Sequence, residues 1–420
     1  MTTNPTEAAN LRNYILVTAA YWGFTITDGA LRMLVLLYFH TIGYTPLQIA
    51  LLFLFYEIFG VITNFFGGWI GSQFGLKLTL YGGIGLQVLS LVMLSLLNPN
   101  WSAGIAIAYI MAAQALSGIA KDLTKMSTKS AIRLVVPKEA ASKLFKWVAI
   151  LTGSKNALKG FGFFLGSILL ASFGFANALL LMAGCLFLIL LTGVLLPKGM
   201  GKIKAKIKFK QLFSKSPEIN ILSAARFFLF GSRDVWFVVG LPVFLYSTLG
   251  WKFAEVGGFM ACWIIGYGLV QFSAPMILQK LGSGQAPKSQ TIQFWTSVLV
   301  VIPAALAIAL QSGLPSGITI VVGLTIFGLV FAFNSAVHSY LVLAFTADDD
   351  VALNVGFYYM ANSGGRLVGT VLSGLVFQSF GLTGCLWVST LFVLAASLIT
   401  YKLPDPNPQK TIAWQARDGD

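Results

Sequence analysis

Twelve apolar runs, each long enough to cross about 30 Å of hydrocarbon as a helix, decide what this chain can fold into. They fall near residues 14–39, 47–70, 78–97, 101–120, 147–172, 176–196, 219–247, 254–278, 289–311, 316–345, 352–378 and 382–402. The shortest are about 20 residues, enough to span at roughly 1.5 Å per residue. Charged residues are 10% of the sequence and hydrophobic ones 57%, so the chain cannot build a water-soluble surface. Its 43 glycines suit close helix packing in lipid. The expected fold class is an all-α polytopic membrane protein.

A net charge of +14 suggests a nucleic-acid partner until the charges are sorted over the spans. Of the 28 Lys and Arg, 21 fall on one side, Lys252 alone falls on the other, and six lie within spans. That asymmetry places both termini and the central basic stretch in the cytoplasm by the positive-inside rule, with no nucleic acid needed. The polar start leads into a span too long for a signal-peptide core. Cys185, Cys262 and Cys385 sit in three different spans, which argues against disulfides and against a thiolate metal site. No cofactor is expected.

The chain also repeats itself. Lys159, Gly162 and Ser172-Phe173-Gly174 recur 207 residues later as Arg366, Gly369 and Ser379-Phe380-Gly381, and Gly43 recurs as Gly250. This divides the chain into a first six-helix bundle (1–197), a basic cytoplasmic linker (198–218), a second six-helix bundle (219–403) and a cytoplasmic tail (404–420). Six plus six helices in two pseudo-symmetric bundles point to the major facilitator architecture. The segment GWIGSQFGLK, Gly68 to Lys77, resembles that superfamily's signature after its second span. Gly68, Gly75 and Lys77 match, while Ser72 and Gln73 stand where an Asp-Arg pair is usual, which puts the strength of the usual charge lock in question.

Charges inside the spans mark the candidate site. An intramembrane Lys or Arg costs on the order of 2.5–3.5 kcal/mol even on the lenient insertion scale. Lys155 lies roughly 12 Å from the start of its span, Lys159 about 18 Å, and Arg366 and Arg233 roughly 21 Å. At those depths snorkelling to the nearer surface is difficult. Arg32 and Arg226 are within about 10–11 Å of an end, where snorkelling competes with a site role. Lys155, Lys159, Gly162 and Gly166 form one stripe, and Asn362, Arg366, Gly369 and Ser373 form its repeat mate. Small residues beside each cation let another helix approach, so the cations are expected to face a space between the bundles. An anionic substrate would bind Lys155, Lys159, Arg233 and Arg366, with Arg32 as a further partner.

Asp28 and Arg32 stand at i, i+4 and could pair with each other. Arg233 and Asp234 are adjacent and are expected to seek other helices. Asp28 and Glu57 are candidates to carry a coupling proton, because low dielectric favours a neutral carboxyl; satisfied ion pairs are the alternative. Asn334 and His338, one turn apart, are a relay or a packing pair, and Tyr21, Tyr358 and Asn362 are candidate cavity residues. The periodic Lys121, Lys125, Lys129 and Arg133 read as topogenic charge or as a basic vestibule.

Two stretches carry a closer likeness: YWGFTITDGALRMLVLLYFHTIGY (21–44) and AAQALSGIAKDLTKMSTKSAIRLVVP (112–137). With the signature at 68–77, they resemble the ArsJ-type organoarsenical efflux permeases of bacterial arsenic-resistance operons. The resemblance implies export of 1-arseno-3-phosphoglycerate across the bacterial inner membrane, with a functional link to a glyceraldehyde-3-phosphate dehydrogenase that makes this ester from arsenate. Oxyanions of this kind suit Arg and Lys, whereas an arsenite carrier would want clustered thiols. The expectation is a secondary exporter, proton-coupled, giving arsenate resistance, and not an enzyme. Uptake or exchange of another organophosphate or organic anion is the alternative. A membrane-embedded headgroup transferase is a third reading, with only Asp348-Asp349-Asp350 to offer as an acidic cluster.

Overall fold

The computed structural model describes residues 5–131, 141–197, 216–281, 287–345 and 351–405. Their elements, in order, are α1 (Pro5–Thr41), α2 (Pro46–Leu52), α3 (Leu54–Ser95), α4 (Ala103–Ala131), α5 (Ala141–Leu191), α6 (Pro217–Phe237), α7 (Gly240–Val243), α8 (Phe253–Leu281), α9 (Ser289–Gln311), α10 (Ser316–Ala344) and α11 (Val351–Thr400). No strand occurs among the described residues. Short 3₁₀ and π turns follow α5 (Thr192–Leu195) and α7 (Phe244–Thr248).

Fewer helices than apolar runs does not mean fewer passages. Gly75 (φ 78°) breaks α3, Gly174 (φ 73°) breaks α5 and Gly381 (φ 63°) breaks α11. A left-handed residue inside a helix reverses the chain direction without a loop, and only Gly adopts it without strain. Gly174 and Gly381 are repeat mates, so the sequence repeat is also a repeat of backbone geometry. Nine stretches of described residues are long and apolar enough to span a bilayer, and two of them, Ser154–Leu195 and Gly356–Thr400, are double length. α1 has the length but is diluted by Asp28, Arg32 and its threonines. The twelve expected passages are thereby accounted for.

One expected span is interrupted at its start. Thr45 caps α2: its hydroxyl accepts from the Gln48 amide while the Gln48 side chain accepts from the Thr45 amide. This reciprocal arrangement satisfies two of the donors a helix start leaves open. The helix then hesitates at Phe53 before α3 continues. Likewise the seventh expected span is cut at Val238 and Val239, between α6 and α7.

Burial is inverted relative to a water-soluble protein. Val194, Phe380, Leu188 and Leu398 are exposed, as a lipid-facing surface requires, while Glu57, Asp234 and His338 are fully buried. Small residues bring helices close. A methyl at Gly29 would meet the Lys159 carbonyl of α5 at 2.7 Å, and one at Gly369 would meet the Gly231 carbonyl of α6 at 2.7 Å. The expected small-residue stripes therefore pack α5 on α1 and α11 on α6, which fixes the turns that carry Lys159 and Arg366. The two halves of the chain meet where α5 packs on α8 and where α2 and α3 pack on α11.

Candidate functional site

A buried string of charges crosses that seam. Glu57 of α3 accepts through one oxygen, Oε1, from Arg32 Nη2 of α1 and from Arg366 Nη2 of α11, each at 2.7 Å. Arg366 also donates from Nε to Asp234 Oδ2 of α6 at 3.1 Å, and Arg233 lies 2.5 Å from the other Asp234 oxygen. Arg32, Glu57, Arg366, Asp234 and Arg233 thus alternate in sign across four helices. Arg32 is steadied over the rings of Phe53 and Tyr56, at 5.3 and 5.4 Å.

A second cluster continues the string along α4. Lys121 reaches Glu57 Oε2 at 3.9 Å and Asp122 at 3.6 Å, and Lys125 reaches Asp122 at 3.2 Å. Lys125 also donates to Asn64 Oδ1 at 3.1 Å, and Asn64 donates to Ser363 of α11 at 3.3 Å, a second bridge between the halves. The expected vestibule face is therefore partly inside the protein. Lys129 and Arg133 lie outside the described side chains, as do Ser72 and Gln73 of the signature, the linker 198–215 and Asp348–Asp350.

Two interior cations have no carboxylate partner among the described residues. Lys159 has no carboxylate within 4.0 Å among the described residues; its Nζ lies 5.8 Å from the ring of Phe163, and Asp28 is near enough to act on it electrostatically. Arg226 of α6, which is 4% exposed, donates to neutral oxygens of Asn362 and Ser335. Among the described residues, and counting Lys155 a turn before Lys159, eight interior cations face four interior carboxylates, those of Asp28, Glu57, Asp122 and Asp234. The surplus is positive.

Two expectations need correction. Asp28 and Arg32 do not pair: Asp28 Oδ1 accepts from the Tyr56 hydroxyl at 2.7 Å, and Arg32 extends to Glu57. A helical i, i+4 spacing permits contact, but a buried carboxylate on the facing helix gives Arg32 a better-desolvated partner. Arg233 and Asp234, expected to point apart, do pair, because the long arginine side chain folds back while Asp234 also serves Arg366.

The remaining candidates separate. Asn334 donates to the Trp295 carbonyl at 2.9 Å and so ties α10 to α9. Tyr21 and Tyr358 are buried in the packing. Asn362 stands beside Arg226, and both ring nitrogens of His338 are buried with no hydrogen-bond partner among the described residues. Sequence reasoning missed Tyr56, Asn64 and Asp122. Tyr56 sits immediately before Glu57 in a span, a position that aromatic abundance hides. Asp122, next to Lys121 in a basic stretch, looked like solvated charge.

A helical bundle of this order, with an internal repeat and charges buried across its seam, defines a polytopic membrane carrier. The sequence matches the Major Facilitator Superfamily over residues 14–340, and the chain belongs to that family. It is similar in fold to a D-xylose–proton symporter (TM-score 0.71, 13% identity, covering 93% of this chain and 97% of that one). It is similar also to a POT family transporter in complex with 5-aminolevulinic acid (TM-score 0.73, 15% identity, 94% and 96% covered). A bacterial homologue of the iron transporter ferroportin in an inward-facing state gives TM-score 0.67 at 16% identity, with 94% and 98% covered. No curated protein matches the sequence. The chain is a secondary carrier of the major facilitator fold.

Proposed function

We propose that this carrier exports a small, multiply charged oxyanion ester, namely 1-arseno-3-phosphoglycerate, from the bacterial cytoplasm in exchange for protons. The observation that carries the reading is the surplus of interior positive charge, and Lys159 in particular. A largely buried ammonium that makes no ion pair within 4.0 Å, with only the more distant Asp28 acting on it, still favours a negative ligand. Arsenyl and phosphoryl groups meet that demand with several acceptor oxygens each.

In this reading Arg366 is bound indirectly to the transport cycle. Its donors already serve Glu57 and Asp234, so an incoming anion competes with those carboxylates and loosens the seam. Arg32 and Arg233 follow, because each shares an acid with Arg366. Glu57 then acts chiefly as a counter-ion, and Asp28, which accepts from Tyr56 and makes no ion pair within 4.0 Å among the described residues, is the preferred proton carrier. Both termini and the basic linker face the cytoplasm, as the asymmetry of Lys and Arg supports.

The test is arsenic accumulation in everted vesicles supplied with arsenate, glyceraldehyde 3-phosphate, NAD and the dehydrogenase that combines them. The expected result is uptake that a protonophore abolishes and that Lys159→Ala removes at normal expression. Wild-type flux in Lys159→Ala would sink the reading. The broader alternative is a carrier for organophosphates in general, which the same cations would bind, since phosphoryl and arsenyl groups present similar acceptor oxygens. Equal flux of 3-phosphoglycerate in the same vesicles would favour it.

A further inference from the structure

Arg226 is the second interior cation that the ion-pair string leaves out, and its surroundings are built rather than incidental. Its Nε donates to Asn362 Oδ1 at 3.0 Å, and its Nη1 donates to Ser335 Oγ at 3.2 Å. The guanidinium lies 3.9 Å from the Phe230 ring centroid, which fixes its plane. Ser335 is held in turn by Gln271 Nε2 at 3.1 Å. Gln271 also meets Asn156 of α5 at 3.5 Å, three residues before Lys159. Polar contacts therefore run unbroken from Arg226, across the seam, to the turn that carries Lys159, the other interior cation without an ion pair among the described residues.

Every group around Arg226 in that chain is neutral. Neutral dipoles orient a guanidinium without cancelling its charge, and Nη2 donates to no described residue. His338, fully buried one turn from Ser335, adds two ring nitrogens with no hydrogen-bond partner among the described residues. Unmet polar groups around a desolvated, pre-oriented fork are costly in an apo protein and favourable once an oxyanion arrives.

We propose that Arg226, positioned by Asn362 and by the Gln271–Ser335 pair, is a second anion-binding pole that takes a tetrahedral oxyanion group, phosphoryl or arsenyl, of the substrate. Lys159 takes the second anionic group at the other end of the same molecule. The substrate class that fits is a short ester with negative charge at both ends, not a mono-anion. This rests on the anion-carrier reading and makes it more specific, by assigning one end of the cargo to each half of the chain.

The test uses the purified full-length protein in lipid nanodiscs, with glycerol 3-phosphate (one charged end) and 3-phosphoglycerate (two charged ends) as probes. Arg226→Gln is expected to weaken both by about tenfold to a hundredfold, the loss of one charge-assisted hydrogen-bonded contact. Lys159→Gln is expected to weaken 3-phosphoglycerate alone. Asn362→Asp, which keeps the arginine but gives it a permanent carboxylate, should reproduce the Arg226→Gln pattern and guards against a variant that fails to fold. Unchanged glycerol 3-phosphate binding in Arg226→Gln and Asn362→Asp would overturn the assignment. So would a Lys159→Gln protein that loses both ligands alike, since that describes one shared site. Wild-type protein that binds neither probe would instead overturn the anion-carrier reading, and this assignment with it.

Discussion

His40 Nε2 lies 2.5 Å from Ser247 Oγ, and the two residues are separated by the same 207 positions that relate Lys159 to Arg366. A contact between repeat mates sits on the symmetry relation between the halves. Here it closes the end of the bundle opposite the termini, beside the stacked rings of Tyr246 and Phe253. The Leu47 amide, donating to Gln378 Oε1 at 3.2 Å, fastens the same end from α2 to α11.

Cysteines at 40 and 247, on a background with Cys185, Cys262 and Cys385 replaced by serine, are therefore expected to cross-link with a short bifunctional thiol reagent. Transport should stop on cross-linking and return on reduction. Transport that continues in the cross-linked protein, by vesicle flux assay, would mean that this end does not open during the cycle.

The shared oxygen of Glu57 predicts strong coupling between Arg32 and Arg366. Glu57→Gln leaves Arg32 without its carboxylate and Arg366 with Asp234 alone, and should lower stability by about 3–5 kcal/mol. A double-mutant cycle of Glu57→Gln with Arg366→Gln should recover about 1–3 kcal/mol, since removing the second partner relieves the first loss. Thermal unfolding in detergent reads both quantities, and additive losses would show that the pair is not coupled.

Lys159 leads to the opposite sign. Replacing an uncompensated interior cation with an apolar side chain of similar length removes a desolvation cost, so Lys159→Met should raise stability by about 1–2 kcal/mol. The same variant should lose transport. A protein that is both stabler and inactive is the signature of a residue kept for its ligand rather than for the fold. A destabilised Lys159→Met protein would argue that the lysine is structural.

Asp28 can be separated from Glu57 by function. Asp28→Asn should abolish accumulation driven by a proton gradient yet retain exchange of labelled for unlabelled substrate, since exchange needs no net proton movement. Gradient-driven accumulation at wild-type level in Asp28→Asn would move the coupling role elsewhere.

What the sequence revealed, and what it withheld, divides by distance along the chain. Span length, glycine pattern and charge depth are local properties, so the passages, the repeat and the six cations within spans were legible, whereas the inward reach of Lys121 and Lys125 was not. The left-handed backbone at Gly174 and Gly381 was foreshadowed by the recurring Ser-Phe-Gly. Partner choice was not legible, because it is decided between helices far apart in sequence. The partners of Glu57 come from 25 and 309 residues away. Asp28 and Arg32 looked like a pair only because helical spacing is the sole geometry a sequence displays. The surplus of interior charge was visible as a count, but which two cations remain uncompensated depends on packing.

One oxygen of Glu57 holds an arginine from each half of the chain, and this has a consequence for the empty carrier. Swinging the halves apart would break the bond between Glu57 and Arg366 and leave each with only the partner from its own half, Arg32 and Asp234, so the resting protein is held back from idle cycling. A ligand that supplies the missing negative charge removes that obstacle at the moment it docks. A carrier built in this way would turn over when loaded and stand still when empty.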